Sequence, residues 1–105
     1  MAQFDVFRNN NPSTRTRVPY LLDVQTNLLE SLATRVVVPL CKPELLKGKL
    51  AERLNPLFAV ERHKLAMLTQ ELAAIPVKAL GEKVASLCAE RQAIIAALDL
   101  LITGI

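Results

Sequence analysis

The run Arg35-Val36-Val37-Val38-Pro39-Leu40 constrains this chain more than any other segment. Three successive β-branched side chains, each stiff at χ1, suit a pleated surface better than a helix. With nearly every position apolar, the run reads as a central strand covered on both faces, or entering the core before Pro39 ends its pairing. Such a strand needs neighbours, and the flanking sequence supplies them. Residues 3–8 set Phe4 and Val6 against Gln3, Asp5 and Phe7, and the cluster Asn9-Asn10-Asn11-Pro12-Ser13 that follows is turn chemistry. Residues 17–26 place Val18, Tyr20, Leu22 and Val24 on one face, with Pro19 opposite marking an edge or a bulge.

Further along, Leu57-Phe58-Ala59-Val60 and Leu65-Ala66-Met67-Leu68 flank the charged turn Glu61-Arg62-His63-Lys64 and predict a hairpin. Residues 42–52, mostly Lys, Leu and Glu with Pro43 and Gly48, read as a mobile surface excursion with a helical turn. Residues 71–74 read as a short link, helix-like or extended, stopped by Pro76. From Gly81 the period changes. Val84, Leu87, Cys88, Arg91, Ile94, Ile95, Leu98, Leu101 and Ile102 recur at three and four, predicting a C-terminal helix of about 20 residues and about 30 Å. Alanines at 85, 89, 93, 96 and 97 favour the same state. The expected architecture is therefore α+β: a mainly antiparallel β-domain with one long C-terminal helix.

Composition bounds the rest. A chain of 105 residues is one domain, 1–105, with no room for a second core, which excludes multidomain enzymes. Half of it is hydrophobic (51%) but only 4% is aromatic and Trp is absent, so the core must come from Leu, Val, Ile and Ala. The formal charge of +3 is too small for a dedicated nucleic-acid binder, although the surplus of Lys and Arg lies within residues 1–64. The opening residues carry Asp5 and no apolar run, which predicts no secretory signal and a cytoplasmic protein. The stretch 93–102 is interrupted by Asp99 and falls short of the roughly 18 residues a membrane span needs, so no membrane partner is expected. Cys41 and Cys88 fit no metal or redox spacing and are expected to be reduced, buried thiols.

The helix widens its apolar face beyond one stripe, through Ile95, Leu100 and the alanines, more than a small monomer covers. This predicts a homodimer with the helix near a two-fold axis. Catalytic chemistry finds little support. His63 is the only histidine and sits in a charged turn without a matching nucleophile. The three glycines form no phosphate loop, and no metal-ligand or cofactor spacing can be written, so no catalytic residue, cofactor or metal is expected. Arg8, Arg15, Arg17 and Arg35 could line a sheet edge and grip phosphate, or simply solubilise it. The ending Leu100-Leu101-Ile102-Thr103-Gly104-Ile105 is apolar where termini are usually polar, which makes Ile105 either a contact point or a core residue.

Several segments, taken together and in order, resemble one family. Leu22-Asp23-Val24-Gln25, Arg35-Val36-Val37-Val38-Pro39-Leu40, Glu71-Leu72-Ala73-Ala74-Ile75-Pro76-Val77 with Leu80-Gly81-Glu82, and the closing Gly104-Ile105 look like the CcdB family of toxins from bacterial toxin–antitoxin pairs. The resemblance runs from Gln3 to Ile105 and is loosest across 42–52 and 61–66. It implies a homodimer of SH3-like barrel subunits, each with a long C-terminal helix. It also implies a toxin that is not an enzyme, and that inhibits DNA gyrase by binding its A subunit and trapping the complex with cleaved DNA. A CcdA-like antitoxin would neutralise it by folding a disordered segment onto the dimer, and DNA would be met only indirectly, through that antitoxin.

Carried over by position, the family's gyrase-contacting residues fall on Leu28, Leu29, Asp99, Ile102, Thr103, Gly104 and Ile105. Family members carry Asn, Phe and Trp where this chain has Asp99, Ile102 and Thr103, whereas Gly104 and Ile105 are kept. A buried aromatic anchor can contribute over ~2 kcal/mol to an interface, and Thr103 cannot replace its area. Two alternatives stay open at this point. One is an endoribonuclease toxin of the same barrel, using arginines and His63; the other is a CcdB-like protein that has lost gyrase poisoning.

Overall fold

A computed structural model describes residues 2–46 and 51–105. The eight-residue strand β3 (Thr34–Cys41) is the centre of the molecule, as its β-branched run requires. On one side it pairs antiparallel with β2 (Tyr20–Asp23), in the register Tyr20 to Leu40 and Asp23 to Val37. Its other side is shared by two strands. The first half pairs with β6 (Ala73–Pro76), and the last two residues pair with β5 (His63–Met67). The 3₁₀ turn Thr69–Glu71 carries the chain from β5 to β6.

β1 (Asp5–Asn9) lies beyond β2, and β4 (Leu57–Val60) lies beyond β5. The far edge is β7 (Leu80–Ser86), paired with β1. These seven strands form one curled antiparallel sheet, a half-barrel, whose order is β4-β5-β3-β2-β1-β7 with β6 beside β3. The α-helix α1 (Arg91–Thr103) follows β7. The fold is α+β and mainly β, as expected.

The inner face of the curl holds the main core. Phe4, Val6, Tyr20, Leu22, Val38, Leu40, Phe58, Leu65 and Met67 meet Ile94 and Ala97 of α1 there. A smaller cluster of Val18, Leu21, Val37, Cys41 and Leu68 covers part of the outer face, so β2 and β3 are buried on both sides. Val18 thus lies away from Tyr20, Leu22 and Val24, with which the alternation had grouped it: β2 begins only at Tyr20, and Val18 follows directly on the turn of residues 12–17. Phe4, Asp5, Val6 and Phe7 are all buried, with β1 paired on both edges by β2 and β7, so the alternation expected of residues 3–8 is lost.

The helix is shorter than its periodicity predicts, 13 residues and not 20. Residues 80–86 are strand β7, because Asp5 pairs with Ser86 and Val6 with Ala85 across the whole length of the chain. The β1–β7 register shifts twice, and at the second irregularity only glycine fits. A Cβ on Gly81 would lie 2.6 Å from the Arg8 carbonyl oxygen and 2.7 Å from Asn10 Oδ1. Residues 71–74, which read as helix-like or extended, hold both states: Glu71 ends the 3₁₀ turn and Ala73 opens β6. The excursion at 42–52 begins with the 3₁₀ turn Pro43–Leu46, and residues 47–50 lie outside the described residues.

The charged turn narrows to Glu61 and Arg62, both with positive φ (50° and 70°), and His63 pairs with Val60 as the first residue of β5. Both φ values match a two-residue hairpin loop that normally favours Asn and Gly. Here Arg8 ties it down, bonding Glu61 at 3.0 Å and Glu82 of β7 at 3.2 Å, so one guanidinium draws the β4–β5 hairpin toward the opposite edge of the curl. Cys41 is buried as expected, whereas Cys88 is exposed in the 3₁₀ turn Cys88–Glu90. That turn lies between β7 and α1, where no layer covers it.

Candidate interaction site

The helix presents two kinds of face. Ile94 and Ala97, three residues apart, are buried against the sheet, and Leu98 and Leu101 continue that face half-buried. Ile95, Asp99 and Ile102 run down an adjoining flank, and there the cover fails toward the end: Ile102 is 72% exposed. The helix stops at Gly104, whose φ of 79° places it in the left-handed region that terminates helices, with its N–H donating to the Leu100 carbonyl at 3.1 Å. No atom lies near the position its Cβ would take.

The last residues are fixed by hydrogen bonds and not by packing. The Thr103 hydroxyl donates to the Asp99 carbonyl at 2.7 Å, and Ile105 N–H approaches Thr103 Oγ1 at 3.4 Å. Arg53 reaches across from the segment before β4 and donates to the Ile105 carbonyl at 2.9 Å. The Ile105 side chain is 83% exposed, which decides between the two expectations for it: it is not in the core.

A second apolar group lies past the end of β2. The 3₁₀ turn Asn27–Leu29 is capped by Thr26, whose hydroxyl accepts from Leu28 N–H, and it raises Leu28 to 90% and Leu29 to 47% exposure. Leu32, just beyond, is 48% exposed. Among the described residues no hydrogen bond or ion pair joins this turn to the helix end, and neither Leu28 nor Leu29 belongs to the packed core. Within one subunit, Asp99, Ile102, Thr103, Gly104 and Ile105 therefore form one exposed group, and Leu28 and Leu29 form another.

Three of the four arginines singled out in the sequence pair with carboxylates, while Arg15 is exposed. Arg35 is buried, 1% exposed, and bonds Asp23 from Nη2 at 2.7 Å and from Nε at 2.9 Å. Arg8 is shared between Glu61 and Glu82, and Arg17 bonds Glu71 at 3.5 Å. His63 is exposed and lies with Lys42, Thr16 and Tyr20 around a shallow depression of about 200 Å³. Among the described residues no group of His, Cys, Asp and Glu could hold a metal ion. No described helix is long and apolar enough to cross a membrane.

Reading the sequence missed the buried polar residues beneath the Leu28–Leu29 turn. Asp23, Gln25 and Arg35 are all buried. Burial raises the Asp23 carboxyl above its ordinary value, opposed by the hydrogen bond from Arg35. The signal was present: an acid inside Tyr20-Leu21-Leu22-Asp23-Val24 and a base opening Arg35-Val36-Val37-Val38, on strands that pair.

The fold is thus a small curled sheet with a C-terminal helix whose apolar end is exposed and capped at Gly104. The chain matches the CcdB protein family over residues 3–104 and belongs to it. CcdB-family proteins are toxins of toxin–antitoxin pairs that poison DNA gyrase; they act on that enzyme and are not catalysts in their own right.

Proposed function

We propose that this chain is the toxin of a toxin–antitoxin pair and inhibits gyrase by docking on its A subunit and holding the enzyme on cleaved DNA. The contacts are Leu28, Leu29, Asp99, Ile102, Thr103, Gly104 and Ile105. The observation that carries the reading is the exposure of Ile102 and Ile105, at 72% and 83%, on either side of the fixed Gly104 cap. Large apolar side chains held rigidly in water lose little conformational freedom when a partner covers them. The active form is a homodimer with the helices near its two-fold axis, which doubles the tip and sets it beside the leucine turns. A CcdA-like antitoxin neutralises the dimer, and DNA is met through that antitoxin. Asp99 adds a negative charge to each half of the contact and selects a gyrase that offers Lys or Arg there.

The test is a cleavage assay: supercoiled plasmid, gyrase of the source organism and ATP, trapped with detergent and protease, with the full chain or a chain lacking Gly104 and Ile105. Linear DNA is expected with the full chain and absent with the deletion. No linear DNA with the full chain would overturn the reading and leave a CcdB-family protein that has lost poisoning. Cleavage of RNA by the full chain that survives the deletion would replace it with the endoribonuclease reading.

A further inference from the structure

The turn that carries Leu28 buries none of its side chains. Without an apolar anchor, a turn of three residues keeps its shape only through hydrogen bonds, and its own bonds, from Leu28 and Leu29 N–H to Thr26, from Glu30 N–H to Asn27 and from Leu32 N–H to Leu29, are all local and tie it to nothing else in the fold. The bonds that join it to the sheet come from beneath. Gln25 Nε2 donates to the Leu29 carbonyl at 3.1 Å, while Gln25 Oε1 accepts from Val36 N–H of β3 at 3.0 Å. The side chain takes the place of a further β2 residue opposite β3 and passes that anchorage to the turn. Gln25 is itself fixed, since its N–H donates to Asp23 Oδ1 at 3.0 Å and its carbonyl accepts from Arg35 Nη2 at 3.3 Å. A second tie runs from Gln3 N–H to Asn27 Oδ1 at 2.7 Å.

Buried ion pairs seldom stabilise more than an apolar pair of the same size would. This one is also incomplete: among the described residues, Arg35 Nη1 is buried with no hydrogen-bond partner. What Asp23 and Arg35 do that Leu and Met could not is grip both the N–H and the carbonyl of Gln25. We infer that Asp23, Arg35 and Gln25 form a brace that holds Leu28 and Leu29 in a fixed outward pose for the target protein, with Gln25 the positioning residue that links brace to turn. This rests on the reading of those leucines as contacts with the gyrase A subunit. Fixing the pose beforehand removes an ordering cost that binding would otherwise meet.

The test uses the full chain, Gln25→Met, Leu28→Ala, Leu29→Ala and the pair Gln25→Met with Leu28→Ala. It measures amide exchange and affinity for purified gyrase A subunit. Gln25→Met keeps the length of the side chain, leaves the ion pair in place and is expected to unfold as cooperatively as the parent. Exchange of the Leu29 N–H is expected to quicken and affinity to fall, each about tenfold. Leu28→Ala, which weakens the parent, is expected to weaken the Gln25→Met chain by a clearly smaller factor. Unchanged exchange overturns the brace. Full additivity of the two substitutions also overturns it, because a merely structural role for Gln25 would leave the leucine's contribution intact. If Leu28→Ala and Leu29→Ala leave the parent's affinity unchanged while Gln25→Met quickens exchange, the contact assignment fails and the brace stands.

Discussion

The Tyr20 hydroxyl of β2 donates to the Glu61 carboxylate in the β4–β5 turn, across a sheet whose order sets β3 between that hairpin and β2. This hydrogen bond holds the Glu61 carboxyl below its ordinary value of 4.5; burial opposes it, and the Arg8 charge adds to it. Glu61 also occupies left-handed backbone, with φ 50°, so its side chain holds in place a conformation its backbone disfavours.

Replacing Tyr20 by Phe is expected to move the Glu61 titration upward, read by carboxyl carbon NMR. Because the folded value lies below the unfolded one, the stabilisation from Glu61 is present above the unfolded value and is lost as pH falls through the folded one. Acid unfolding curves of the parent and Tyr20→Phe are therefore expected to converge below that range. An unchanged Glu61 titration in Tyr20→Phe would remove the bond from the account.

Gly81→Ala is expected to destabilise by about 1–3 kcal/mol, because the new methyl meets backbone at Arg8 and the β1–β7 register must shift to admit it. Urea unfolding at fixed protein concentration measures this as a lower midpoint with an unchanged slope.

Gly104→Ala has open space for its methyl and an unfavourable φ, so its cost comes from backbone strain alone, about 1 kcal/mol. Relief of that strain redirects Ile105. Inhibition of gyrase is expected to fall by a larger factor than the small stability loss explains, while Gly104→Asn, which tolerates left-handed backbone, retains more activity. Equal activity of the alanine and asparagine variants at matched stability would contradict this.

Asp23→Leu or Arg35→Met alone leaves one charge buried without its partner, at a cost of about 3–5 kcal/mol. The double substitution removes both charges and is expected to recover most of that loss in thermal unfolding, since apolar side chains of similar volume fill the space. Recovery of stability without recovery of gyrase binding would separate holding the fold from holding the Leu28–Leu29 turn.

What could be read in advance follows how local each cause is. The centrality of Arg35-Val36-Val37-Val38-Pro39-Leu40 and the β4–β5 hairpin were legible because stiff side chains and turn residues act within a few positions. The apolar ending at Ile102 and Ile105 was visible as unusual, but the sequence left Ile105 open between contact point and core, and only the structure shows it exposed. The strand at 80–86 was not legible, since Val84, Leu87 and Cys88 fall in step with the helix that follows, and only pairing with Asp5 and Val6 makes that segment extended. Arg35 misled for a related reason: an arginine beside valines looks like a surface charge until Asp23 is seen on the neighbouring strand. Cys88 was expected to be buried as part of a helical stripe that does not begin until Arg91.

The pairing of Asp5 with Ser86 makes one of the first strands depend on one of the last. During synthesis, at about 5–20 residues per second, β1 is made seconds before β7 exists, and its outer edge stays unpaired for that interval. The helix tip emerges later still. The exposed helix end at Ile102 and Ile105 therefore takes its place against the sheet only after β7 has been translated and paired with β1.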